Sequence, residues 1–161
     1  MNPHHALWRR GAWICVAATA LFGTAARADG PQASRLPPLP EYTQECASCH
    51  IAYPPSLLPA ASWQRVIESL SRHYGTDASI DAAAARTLST WLQANAGSGK
   101  RAREQPPEDR ITRSAWFQRK HDEVPAATWK LPAVKSPANC VACHTGAEQG
   151  DFNERHIRIP R

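Results

Sequence analysis

The sequence predicts an all-α protein built as two small halves with long ordered loops between short helices. Three observations lead there. Runs of alternating apolar and polar residues rich in β-branched and aromatic side chains are nearly absent. Two segments of the first half carry apolar residues at helical spacing. Proline and glycine, 14 and 8 of the 161 residues, cluster so as to divide the chain near its middle.

The chain opens with a segment that belongs to neither half. "MNPHHALWRR" is a basic start, "GAWICVAATALFG" an apolar run, and "ARA" (Ala26 to Ala28) offers small residues at the positions a signal peptidase reads. Residues 1–28 therefore read as a cleaved signal peptide, with the product beginning at Asp29 in the periplasm. The apolar run is short for a membrane span and no later stretch is longer, so stable membrane insertion is not expected. Cleavage removes Arg9, Arg10 and Arg27 and no acidic residue, so 19 basic against 14 acidic residues becomes 16 against 14, a net of +2. That balance, with no aromatic interleaving around "KRAREQ" and "DRITR", argues against nucleic-acid binding and for a solvated linker.

"DGPQASRLPPLPEY" is an extended lead-in. "SWQRVIESLSRHYG" places Trp63, Val66, Ile67, Leu70 and Tyr74 at helical spacing, with Ser62 as N-cap and Gly75 as the stop, and puts His73 on the same face as Leu70. "SIDAAAARTLSTWLQANAG" predicts a second helix with Leu88, Trp91 and Leu92 inward and Gly97 at its end. Residues 95–110 form a polar, proline-containing linker, which divides the chain into an N-terminal domain over 29–99 and a C-terminal domain over 100–161. Beyond it, "TRSAWFQRKH" predicts a short helix, then proline-broken coil leads to "NCVACH" and an irregular tail. A half of this size has little apolar core of its own and needs something else to pack on.

Loss of Cys15 with the signal peptide leaves four cysteines, and both pairs fit one pattern: "CASCH" (Cys46, Cys49, His50) and "CVACH" (Cys140, Cys143, His144). CxxCH is the attachment signal for a c-type haem. Residues three and four apart on a helical turn share a face, so both thiols and the imidazole can meet one flat ring. A zinc ribbon brings its two CxxC knuckles much closer in sequence than residues 50–139 allow. A thioredoxin-like pair needs a preceding strand, and disulfides leave the histidine after each pair unexplained. Two covalently attached haem c groups, one per half, also provide the apolar surface the short helices lack.

Carriers of this kind hold the other face of the iron with histidine or methionine. Met1 is the only methionine and leaves with the signal peptide. Beyond His50 and His144, the mature chain has His73, His121 and His156. His73 is the only further histidine of the first half. In the second half, His121 follows Ile111, Trp116 and Phe117, whereas His156 lies between arginines near the end; the surroundings favour His121, with His156 as the alternative.

The blocks "ECASCHIAYPPSLLPAASW", "HYGTDASID", "RITRSAWFQRKH" and "NCVACHTGAEQGDF" resemble, in the same order, those of the small exported dihaem cytochromes c of bacteria. The resemblance implies two bis-histidine haems, His50 with His73 and His144 with His121, and an N-terminal half like a class I cytochrome c. It also implies electron exchange with a small monohaem cytochrome c and, in some members, a membrane cytochrome b. A haem with both axial positions filled passes electrons without binding substrate, so the expected function is a low-potential electron carrier, not an enzyme. The alternative is a peroxidase-like enzyme or a sensor of CO, NO or O2 with one labile distal histidine.

Overall fold

The computed structural model describes residues 38–100 and 102–161. The expected signal peptide and its cleavage point lie outside the described residues. Over the described residues the fold is helical: α1 (Pro40–Cys46), α2 (Ala60–Glu68), α3 (Ala82–Ala94) and α4 (Ala115–Lys120), with eight single 3-10 turns between and after them. Among the described residues the only β pairings are three isolated bridges, and no helix is long and apolar enough to cross a membrane.

The core of the first half forms where α1, α2 and α3 meet. Tyr42, Leu58, Trp63, Leu88 and Leu92 are its buried cluster, with Leu88 and Leu92 one turn apart on the inner face of α3. Two polar anchors fix its edges: the Tyr42 hydroxyl donates to the Tyr53 carbonyl (2.7 Å), and the Trp63 indole N–H donates to the Pro55 carbonyl (2.7 Å). Asp81 caps α3, accepting from the N–H groups of Ala83 and Ala84, which the "DAAAA" stretch foreshadows.

Three local expectations need correction. Ser62 is not the N-cap of α2 but lies buried inside it, because the helix already starts after Pro59. The helix does not reach Gly75: the Ser69 hydroxyl bonds back to the Arg65 carbonyl (2.7 Å), offering the backbone an alternative partner, and the chain tightens into a 3-10 turn over Leu70–Arg72. His73 and Tyr74 thus lie beyond the helix, and Tyr74 is exposed, not inward. Likewise α3 ends at Asn95, whose side chain donates to the Trp91 carbonyl (2.8 Å). Gly97 serves a close approach instead: a Cβ there would fall 2.4 Å from the Ser56 carbonyl oxygen.

Nor is the linker simply solvated. Ala102 and Pro106 are buried, and the Asp109 carboxylate accepts two hydrogen bonds from Arg65 of α2, at 2.8 and 2.9 Å. Arg110 and Arg113 both pair with Glu108. In the second half the helical structure is sparser. Ser114 caps α4, Phe117 is buried, and Val134 is fully enclosed in the coil that leads to Cys140.

Candidate functional site

The two CxxCH motifs are built differently. Cys46 is the last residue of α1 and packs against the core, so its motif continues a helix into a turn. Cys140 opens a 3-10 turn (Cys140–Ala142), after which the His144 N–H donates to the Cys140 carbonyl (2.8 Å). Both geometries keep the second cysteine and the histidine within one turn of the first. None of Cys46, Cys49, Cys140 and Cys143 is joined in a disulfide. Burial pushes the Cys46 and Cys140 thiols up to about 11, and raises Cys143 as well. That is opposite to the lowered thiol of a dithiol redox site. Among the described residues no three His, Cys, Asp or Glu side chains converge as a cage for a metal ion, so the two CxxC pairs do not make a zinc knuckle.

Each motif histidine faces a second histidine. The rings of His50 and His73 are 6.1 Å apart, 28° from parallel. The rings of His144 and His121 are also 6.1 Å apart, crossing at 74°. His156 is elsewhere: its Nδ1 is 2.6 Å from the Asp151 carboxylate on an exposed surface.

In two of the four histidines a backbone carbonyl fixes the outer nitrogen. His50 Nδ1 is 2.7 Å from the Ile51 carbonyl, and His121 Nδ1 is 2.9 Å from the Phe117 carbonyl. A carbonyl only accepts, so Nδ1 carries the proton in both and Nε2 is left with a free lone pair, as in metal-bound imidazoles. His144 Nδ1 is buried and has no hydrogen-bond partner among the described residues. Burial, and secondarily the facing histidine, lowers the pKa of both His73 and His144, favouring the neutral ring that can bind a metal.

Aromatic side chains frame both pairs. Tyr53 stacks on His50 at 4.7 Å, and Tyr74 lies 4.8 Å from His73. Phe117 stacks on His121 at 4.0 Å, Trp129 lies 5.9 Å from it, and Phe152 is 5.3 Å from His144. Beside His121 an open cleft of about 640 Å³ is walled by Phe117, Val124, Ala126, Trp129 and Pro137. Of these aromatic residues, Tyr53, Trp129 and Phe152 were not singled out by the sequence. Tyr53 was findable, three positions after His50, whereas nothing in local pattern marks Trp129.

The geometry fits a haem iron at each pair. A first-row transition metal holds an imidazole nitrogen at about 2.0–2.1 Å, and the ring centroid lies about 1.1 Å behind that nitrogen, so two rings on opposite sides of one ion stand about 6.2 Å apart. Both pairs match that spacing.

Comparison with known proteins points the same way. The family model for dihaem cytochrome c matches residues 42–152. No curated protein matches the chain. The diheme cytochrome c from Rhodobacter sphaeroides is 42% identical over 71% of this chain and 96% of its own, with a TM-score of 0.64. The diheme cytochrome c from Shewanella baltica is 38% identical over 78% of this chain and 95% of its own, with a TM-score of 0.68.

Proposed function

The chain belongs to the dihaem cytochrome c family, and on that premise we propose that it is a soluble periplasmic electron carrier whose two haems are each held between two histidines and work at low potential. Family membership brings two covalently bound haem c groups. In this reading Cys46 and Cys49 attach the first and Cys140 and Cys143 the second. His50 and His73 hold one iron; His144 and His121 hold the other. When bound, each haem supplies a one-electron ferric/ferrous couple.

The observation that carries the reading is the equal 6.1 Å spacing of the two histidine pairs. Four imidazoles would then hold the two irons, two to each. Such a site exchanges electrons and offers no vacancy to oxygen or peroxide. Two neutral histidines also favour the ferric state more than a histidine with a methionine does, which supports a low potential. The chain's part is to fix the imidazoles and keep water from replacing them. The Nδ1–carbonyl bonds of His50 and His121 set ring direction, and Tyr53 and Phe117 stack to prevent rotation.

Proximity of the two sites supports transfer between them. A compact body of the 133 residues from Asp29 onward has a radius of gyration of only about 14 Å. Its partners in this reading are redox proteins: a small monohaem cytochrome c and, as in some members of the family, a membrane cytochrome b. The small net charge of the exported chain, +2 before the haem propionates, favours brief docking with modest dependence on ionic strength.

A redox titration of the holoprotein followed by its visible spectrum tests the proposal. Two reversible one-electron steps below the range of methionine-ligated cytochromes, with no turnover of peroxide, are expected. Peroxide turnover above the buffer rate would replace the carrier by the enzyme reading.

A further inference from the structure

The two distal histidines are held in unlike ways. His121 is secured locally: its Nδ1 proton goes to the Phe117 carbonyl one turn back in α4, and the Phe117 ring stacks on it. His73 follows the 3-10 turn Leu70–Arg72 in a loop that closes on itself through the Thr76 N–H to the His73 carbonyl (3.0 Å). The next residue, Tyr74, has φ +51°, a left-handed conformation that costs a bulky side chain energy and persists only where surroundings enforce it.

Those surroundings come from the last residues of the linker. The Tyr74 hydroxyl shares its one proton between the carbonyls of Glu108 (3.2 Å) and Asp109 (3.1 Å), and the Arg110 guanidinium lies over its ring at 4.0 Å. Glu108 and Asp109 are themselves left-handed, at φ +56° and +54°. They are fixed in turn: the Asp109 carboxylate takes a two-pronged bond from Arg65, and Glu108 pairs with Arg110 and Arg113. Tyr74 is 43% exposed, so burial does not hold it; these contacts do.

We propose that Tyr74 is a positioning residue for His73, and that the Glu108–Arg110 segment is the latch to which it fastens. The latch presses the His73 loop toward His50 and keeps the first haem closed. Releasing it frees His73 from that iron and leaves His121 on the second. The first haem is thereby the one whose ligation depends on docking of the two halves. This rests on His73 being an axial ligand, and the experiment separates the two claims.

The probe is carbon monoxide, added to the reduced holoprotein and followed by its Soret change and stoichiometry. Tyr74→Phe keeps the ring under Arg110 and loses the hydroxyl; it should take up carbon monoxide about three- to tenfold faster than the parent. Tyr74→Leu loses both contacts and should do so roughly thirtyfold faster, at one haem per chain. His73→Ala should bind one equivalent at once, and adding Tyr74→Leu to it should change neither rate nor stoichiometry, since the tyrosine acts only through that histidine. If His73→Ala binds the gas but both Tyr74 variants stay as slow as the parent, the latch is refuted and the ligation stands. Equal acceleration by Tyr74→Leu in the His73→Ala background, or uptake at both haems, refutes it too. Should His73→Ala take up no carbon monoxide, the ligation reading falls and the latch with it.

Discussion

The Tyr53 hydroxyl donates a 2.7 Å hydrogen bond to the Ala138 carbonyl, joining positions 85 apart in sequence. The ring of that tyrosine stacks on His50, and Ala138 lies two residues before Cys140, so one side chain touches the surroundings of both CxxCH motifs. Tyr53→Phe keeps the stack and breaks the bridge. It should cost about 0.5–1.5 kcal/mol in guanidinium unfolding of the holoprotein while both haems stay low-spin. No loss of stability would mean that the bond contributes nothing to joining the halves.

The two candidate histidines of the second half separate by mutation. His121→Ala should turn one of the two haems high-spin in the ferric visible spectrum. His156→Ala should leave both low-spin, because His156 is committed to Asp151 at the surface. A high-spin haem in His156→Ala and none in His121→Ala would reverse the assignment.

Acid should weaken the contact between α2 and the linker through one carboxylate. The hydrogen bonds from Arg65 hold Asp109 below its ordinary value of 3.8. A carboxylate with a lowered folded pKa stabilises fully above its unfolded pKa, and that contribution fades as pH falls through the lower folded value. Unfolding midpoints measured from pH 6 downward should therefore drop more steeply below about pH 4 in the parent than in Asp109→Asn. Parallel curves would show the pair to be energetically silent.

The core of the first half depends on α3. Leu88 is wholly enclosed among Tyr42, Leu58, Trp63 and Leu92. Leu88→Ala should lose about 2–5 kcal/mol of unfolding free energy, the usual range for a truncated and incompletely collapsing core leucine. A loss below 1 kcal/mol, measured by guanidinium titration, would indicate that the haem and not this cluster holds the half together.

Much of this was legible in the sequence, for identifiable reasons. The inner residues Leu88 and Leu92 follow from a 3.6-residue period, and the CxxCH spacing is itself a statement of geometry. Counting methionines and histidines narrowed the axial candidates to three, of which the rings of His73 and His121 lie 6.1 Å from those of His50 and His144. What failed depended on partners distant in sequence or on local competition. Ser69 stopped α2 early by bonding to its own helix, which took Tyr74 out of the apolar face assigned to it. The linker read as solvated because its anchor, the pairing of Asp109 with Arg65 of α2, spans 44 positions, and no local pattern announces it.

The central claim is that four histidines close both irons, and low-temperature electron paramagnetic resonance of the fully oxidised holoprotein tests it most directly. The account predicts two low-spin ferric signals of equal weight and no high-spin signal near g = 6. A high-spin signal integrating to one haem per chain would show an axial position open at rest, and would contradict the closed bis-histidine carrier proposed here.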